Sequence, residues 1–497
     1  MNRSADNQNS DLLERNSGSQ EFVPAACLPA TRAAQANWMS ATLPARLKIV
    51  RRFRQLLAAK ADQLTTSANP ERRRPVSEPL AAEILPLAEA ARFLEREAAT
   101  VLAVRKVGVR GRPLWLAGVK SEIHREPLGL VLVMAPSNYP AFLPGVQVLQ
   151  ALVAGNAVWL KPGLNGTPAA MELARLLHEA GLPENLLRVL PEATEAAQAA
   201  LAAGVDKVFF TGSAGVGKQI LSQIAPRAIP ATMELSGCDA VIVRADADLD
   251  LAVRALAFGL RLNSGKTCIA PRRVLVARSV ATEFEGRLAR AMTGLETAPF
   301  SPEQCQRLAP LSLDALANGA HLLAGEVVDA GQVTGPLVLA GVARDSRLLQ
   351  EDFFGPLLLV LTVGDDEEAI RLANDNPYAL GASIFTRDEA AALTLARRIE
   401  AGVVLINDLI APTADARLPF GGRKLSGFGA TRGREGLLEM TTQKVVTVNR
   451  SRQRRHFAPP QARDAQIFRA YLQLTHGGWK QRLAGLAQLV RAFRKQI

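Results

Sequence analysis

The chain has 497 residues, 48% of them hydrophobic and 21% charged, with 37 glycines and 29 prolines. That balance is globular and long enough for two or three domains, which excludes a fibre and a wholly disordered chain. The net charge of +12 is concentrated at one end: residues 450–497 hold eleven Lys or Arg against the single acid Asp464, so the remainder is a nearly neutral, enzyme-like body.

Residues 1–20 are polar, lack the apolar stretch of a signal peptide, and are expected to form a disordered tail. No apolar run reaches membrane-spanning length. The four cysteines, Cys27, Cys238, Cys268 and Cys305, fit neither a disulfide framework nor a CxxC pair, and the five histidines are scattered. A reducing, cytoplasmic setting and no metal site are therefore expected.

Residues 40–105 read as helices, with Leu47, Val50, Phe53, Leu56 and Leu57 apolar at helical steps. The alternating residues 114–126 suggest a β-hairpin. From Leu128 the pattern changes. Apolar strands at 129–134, 157–160, 186–190 and 207–210 alternate with helices at 143–153, 167–180, 195–203 and 216–224. This order implies a parallel, doubly wound sheet, which binds ligands at the carboxyl ends of its strands. A second α/β region from 238 to 420 has strands at 240–243, 274–277, 357–363, 382–385 and 403–406. Residues 233–268, between the two, are expected to line a cleft. At the C-terminus, Trp479, Leu483, Leu486, Val490, Phe493 and Ile497 form one apolar helical stripe, flanked by Lys480, Arg482, Arg491, Arg494 and Lys495.

Four segments can carry chemistry. Residues 209–218 (FFTGSAGVGK) are a strand, a glycine-rich turn and a helix start. Such a turn cradles a phosphate, or is simply a capped βα turn, and it is not GxGxxG. In residues 263–270 (NSGKTCIA), Cys268 has Lys266 and Arg273 nearby in sequence, and positive charge favours the nucleophilic thiolate. A lone cysteine is otherwise an inert small hydrophobe. Glu234 lies in an apolar stretch, where burial raises a carboxylate toward the working range of a base, or where backbone amides satisfy a structural acid. Asn138 follows the first strand, as an oxyanion donor or a turn residue.

Together these segments resemble the aldehyde dehydrogenase superfamily. The matching motifs are REPLG at 125–129, KPG at 161–163, FTGS at 210–213, MELSG at 233–237, NSGKTC at 263–268, FFGP at 353–356, NPYALGASIFTRD at 376–388 and LPFGGRKLSGFG at 418–429. The resemblance runs over about residues 42–449. It implies an α/β fold of two doubly wound domains, one Rossmann-like and cofactor-binding, one catalytic, plus a small β oligomerisation hairpin. The expected boundaries are 21–110 with 130–235 for the cofactor domain, 236–437 for the catalytic domain, 111–129 with 438–450 for the oligomerisation strands, and 451–497 for a basic amphipathic extension. It further implies Cys268 as nucleophile, Glu234 as the base that activates water, and Asn138 with the Cys268 backbone amide at the oxyanion. Ser213, with Gly212 and Gly217, would stand at the cofactor pyrophosphate, Lys161 at the adenine ribose, Asp352 at the nicotinamide ribose, Phe354 at the nicotinamide, and Pro136 beside them.

The sequence departs from the family at several points. Leu164 replaces a glutamate that accepts from the ribose hydroxyls, so NAD and NADP are both expected cofactors. Asp352 replaces a glutamate, Lys266 a glutamine, and Ser137 a bulky aromatic. The expected activity is oxidation of an aldehyde to a free acid by a homodimer or homotetramer. A coenzyme A-acylating enzyme of the same fold is the alternative, which Glu234 argues against; a non-catalytic membrane or partner scaffold is the third. The stripe at 479–497 fits peripheral contact with an anionic membrane, or a helix packed against protein, the commoner fate of an apolar helix face. No nucleic-acid-binding module is present in the sequence.

Overall fold

Short strands rich in Val, Leu and Ile, buried on both faces, favour parallel sheets covered by helices, and this chain builds two. The computed structural model describes residues 23–70, 74–328, 332–451 and 454–494. The expected tail at 1–20 lies outside these residues, as do 495–497 and the side chain of Phe493.

In the first sheet Leu130–Met134, every residue buried, lies between Ala157–Lys161 and Lys207–Gly212, all parallel. Leu187–Val189 continues one side and Ala231–Leu235 the other, with Gly427–Phe428 added antiparallel at that edge. Strand order thus reverses between Leu130–Met134 and Lys207–Gly212. That reversal opens a crevice at the carboxyl ends, where the loop after Met134 and the turn after Gly212 meet.

The second sheet runs His321–Val328, Gln332–Ala340, Leu357–Val363, Pro271–Ala277, Asp239–Val243, Gly381–Phe385 and Val403–Ile406. Its first pair is antiparallel and the rest are parallel. Alternate residues enter different cores. Ala240, Ile242, Leu337, Leu339, Leu357 and Leu359 pack on one face, and Val241, Val243, Val338, Ala340, Leu358 and Val360 on the other.

The helices expected at 40–105 occur at Leu43–Ala59, Ala61–Ala68 and Leu85–Val101, ending before a strand at Arg105–Val107. The hairpin expected at 114–126 is placed differently. Leu114–Leu116 is a single 3-10 turn, and Val119–Pro127 pairs antiparallel with the earlier Arg105–Val107, register Arg105↔Ile123. Gly111 and Gly118, both at positive φ, sit in the connection and move the turn upstream. The edge strand His321–Val328 and its neighbour Gln332–Ala340 were not expected; the first is largely exposed, and the second is buried from Pro336 to Ala340.

The chain divides into two compact units. One contains the chain up to Ala103 together with His124–Lys444; the other contains Val104–Ile123 and Val445–Ile497. Arg105–Val107, Val119–Pro127 and Thr441–Asn449 form a three-stranded sheet. Beyond it are two helices, Asp464–His476 and Trp479–Arg494. No helix among the described residues is long and apolar enough to cross a membrane.

One buried carboxylate anchors the crevice. Glu83 is fully buried, and its Oε2 accepts from the backbone amides of Ala141 (2.8 Å) and Phe142 (3.4 Å) at the start of helix Phe142–Ala154. Its other oxygen accepts from Arg74 Nη2 at 2.8 Å. A carboxylate there satisfies amides that the helix leaves unpaired and meets the positive end of its dipole. Glu83→Ala would strand both the amides and Arg74, and should cost about 3 kcal/mol of stability by denaturant unfolding. A loss under about 0.5 kcal/mol, the ordinary range for a surface change, would show the anchor to be dispensable.

Candidate active site

The crevice leads to a cavity of about 540 Å³ lined by residues of both sheets, among them Asn138, Ser213, Glu234, Cys268, Asp352 and Phe354. Cys268 ends a loop that only particular residues can form. Asn263, Ser264 and Gly265 all have positive φ, of 47°, 52° and 68°. A Cβ on Gly265 would stand 2.6 Å from the Gly355 carbonyl oxygen, so glycine is required there. Buried Arg272 clamps the two loops, donating to Gly265 O at 2.7 Å and Gly355 O at 3.0 Å.

The loop after the first strand closes over this turn. Asn138 Nδ2 donates to Lys266 O at 3.0 Å, and Asn138 O accepts from Asn263 Nδ2 at 2.9 Å. Tyr139 and Thr267 share a hydroxyl hydrogen bond of 2.7 Å. An amide nitrogen carries two hydrogens; the Lys266 carbonyl takes one of Asn138's.

Glu234 sits on the strand Ala231–Leu235, facing Thr211 on one neighbour and Gly427 on the other. A Cβ on Gly427, at φ +99°, would lie 2.0 Å from Met233 O, which is why the covering strand has glycine there. The Cys268 thiol and Thr211 both act on the Glu234 carboxyl and favour its charged form. One of its oxygens, Oε1, is buried without a partner. Burial lifts this carboxyl to about 7, against the opposing pull of Arg432, Cys268 and Thr211.

The thiol itself is held well above its usual range, first by burial and then by the Glu234 and Asp239 carboxylates. Cys268 as a residue is partly exposed to the cavity, whereas its sulfur is packed among protein atoms; the latter governs its ionisation. The sequence pointed instead to Lys266 and Arg273 as sources of positive charge. Arg273 is turned away and donates to the carbonyls of Cys238, Leu372 and Ala373. Buried Arg272 also feels the thiol, but the cation that acts on Cys268 most strongly is Arg432, which gave no signal in the sequence. It is buried, lies 4.4 Å from the Phe420 ring centroid and 5.6 Å from that of Phe142, and donates to Thr413 O. Its Nε has no partner, its φ is +63°, and Cys268 and Glu234 are the charges it feels. Burial brings its guanidinium down to about 10.

The remaining expected residues fall into two groups. Pro136, Gly212, Ser213, Asp352 and Phe354 line the cavity with the pair above. Ser213 Oγ caps helix Ala214–Ile224 by accepting from Val216 N at 3.4 Å, so the helix start opens onto the cavity at Ala214 and Gly215. Asp352 Oδ1 is buried and unpaired. Gln304 Nε2 holds the Phe354 carbonyl at 2.7 Å. Lys161 and Gly217 do not line the cavity. Gly217 lies one turn into the helix, where a Cβ would stand 2.8 Å from Leu235 Cδ2, so its smallness serves helix-to-strand packing. Lys161, at the end of its strand, is partly buried, and its nearest opposing charge is Glu192. Glu192 accepts from Thr167 Oγ1 at 3.1 Å, and sequence spacing did not reveal it.

Comparisons with known proteins show the family. The Aldehyde dehydrogenase family model matches residues 6–446. The chain is 31% identical over 481 residues to the 4,4'-diapolycopene aldehyde oxidase of a Methylomonas species, covering 94% of this chain and 90% of that protein. An aldehyde dehydrogenase of Mycobacterium tuberculosis solved with NAD+ superposes with a TM-score of 0.77 at 30% identity, over 84% of this chain and 88% of that one. A solved NADP-dependent enzyme of E. coli gives 0.78 at 27% identity, over 86% and 90%. With two doubly wound sheets meeting at a cysteine, and a family match over nearly its whole length, this chain belongs to the aldehyde dehydrogenase family.

Proposed function

We propose that the protein oxidises an aldehyde to the free carboxylic acid with NAD or NADP, using Cys268 as nucleophile and Glu234 as base. The observation that carries this reading is that Cys268 and the buried Glu234 line one cavity, with the Glu234 carboxyl lifted by burial to near neutrality. The residues present fit a dinucleotide. The helix start at Ala214 and Gly215 offers amides to a pyrophosphate. The unpaired Asp352 Oδ1 is an acceptor without a donor, as a ribose hydroxyl would require. When bound, the oxidised nicotinamide supplies the hydride acceptor.

The chain's own groups do the rest. Glu234 accepts the thiol proton as Cys268 Sγ bonds to the aldehyde carbon and the carbonyl electrons move to oxygen. The second amide hydrogen of Asn138 meets that oxyanion. Loss of hydride leaves a thioester on Cys268. After passing its proton to solvent, Glu234 takes another from water, whose oxygen bonds to the thioester carbon. Collapse breaks the C–S bond, and Arg432 stabilises the departing thiolate. A base near 7 suits both transfers, and a water-activating carboxylate favours hydrolysis over capture by an external thiol such as coenzyme A. The exposed strand Thr441–Asn449, with Val445, Val446 and Val448 bare, is proposed as the contact between copies in a dimer or tetramer.

Cys268→Ala should abolish nicotinamide-linked aldehyde oxidation. Glu234→Gln, which lacks the base for both proton transfers, should lower steady-state turnover by about 10²–10⁴-fold. Because Glu234 must be ionised, wild-type turnover should rise with pH through about 7 and be lost below it; full turnover in either variant, or activity flat from pH 5 to 8, would refute the assignment. Leu164 is exposed and leaves the ribose end without its expected carboxylate, yet Glu192 restores one beside Lys161. That charge repels a 2′-phosphate. Glu192→Gln should therefore lower the KM for NADP relative to NAD by roughly fivefold to tenfold. An unchanged ratio of the two KM values would separate Glu192 from cofactor choice.

A further inference from the structure

The helices Asp464–His476 and Trp479–Arg494 pack together through small residues. Ala470 is buried, and a Cβ on Gly485 would lie 2.5 Å from Ala470 O and 2.7 Å from Leu474 N. The turn between them is closed by Arg482 Nε donating to Gly477 O and Gly478 N donating to Gln481 Oε1, each at 2.9 Å. Four large apolar residues of the second helix lie outside this contact. Trp479, Leu483, Leu486 and Val490, at steps of four, three and four, are 70%, 61%, 49% and 44% exposed. On a helix of 3.6 residues per turn they make one stripe on the side opposite Gly485.

Charge identifies what would cover the stripe. The second helix contains no acid, and Lys480, Arg482 and Arg491 are exposed beside it. Lys480 Nζ stands 5.5 Å from the Trp479 ring centroid, so the aromatic and the cation share one end of the stripe. The unit formed by 104–123 and 445–497 carries sixteen Lys or Arg against Glu122 and Asp464. A second copy placed on the same face would bring two such surfaces together and repel. An anionic bilayer offers apolar depth for the four side chains and counter-charge for the rim. Trp in particular favours the boundary between headgroup and acyl chain.

We propose that the Trp479–Leu483–Leu486–Val490 face is a docking surface for anionic phospholipid, on which the helix lies in the plane of the interface without crossing the membrane. The test uses the full-length protein and sedimentation with vesicles of phosphatidylcholine alone or mixed with phosphatidylglycerol. The protein should pellet with the mixed vesicles only, and added salt should release it. Leu483→Glu with Leu486→Glu should abolish binding. Lys480→Gln with Arg491→Gln should weaken it roughly tenfold or more. Neither pair belongs to the catalytic machinery, so turnover of a soluble aldehyde reports that each variant is folded. The proposal is overturned if wild type does not pellet with phosphatidylglycerol vesicles, or if both variants bind as tightly as wild type. It is equally overturned if light scattering shows that the glutamate variant dissociates an oligomer while vesicle binding is absent throughout, which would make the face a contact between copies.

Discussion

Everything at the active site depends on keeping a carboxylate out of water beside a thiol. Left in solvent, Glu234 would be a weak base at neutral pH and Cys268 an ordinary thiol. Burial lifts both, and because each group's charge opposes the other's, the protons belong to the pair and not to either residue. A buried pair of two potential anions needs a compensating cation. Arg432 supplies it, fixed between two aromatic rings with no carboxylate of its own to neutralise it. Its left-handed backbone is a strain the surrounding packing must hold, as often happens at functional positions.

The fold brings these groups together by ending strands at the same place. Glu234 comes from the edge of one parallel sheet, Cys268 from the loop entering a strand of the other, and Asn138 from the strand at which the order of the first sheet reverses. None could be placed by local preference alone. Arg272 and Glu83 fix the two loops from behind, through hydrogen bonds to backbone groups that would otherwise be buried and unpaired.

Much of this was legible because parallel strands are buried on both faces and read as continuous apolar runs, as in Leu130–Met134 and Leu357–Val363. Where burial fails, so does the signal. The largely exposed edge strand His321–Val328 was invisible, and the hairpin arm at Arg105–Val107 is fully exposed. Cys268, Glu234 and Asn138 stood out as candidates because their motifs occur in order along the chain. The charges that tune them did not, because electrostatic neighbours depend on distance in space. Lys266 and Arg273 are near Cys268 in sequence, whereas Arg432 lies far from it along the chain, as Glu192 does from Lys161. Side-chain direction also escapes sequence: Arg273 is close to the cysteine along the chain and faces the carbonyls of Cys238 and of helix Asp366–Asn374.

The coupling of Cys268 to Glu234 is tested most directly by the rate of Cys268 alkylation by iodoacetamide against pH. Peptide mass spectrometry would separate this cysteine from Cys27, Cys238 and Cys305. Wild-type protein should show a midpoint above the ordinary thiol value of about 8.5, and Glu234→Gln should bring it down toward that value, because the carboxylate that opposes the thiolate is gone. A wild-type midpoint below about 7, or one that Glu234→Gln leaves unmoved, would contradict the buried pair as the centre of the chemistry.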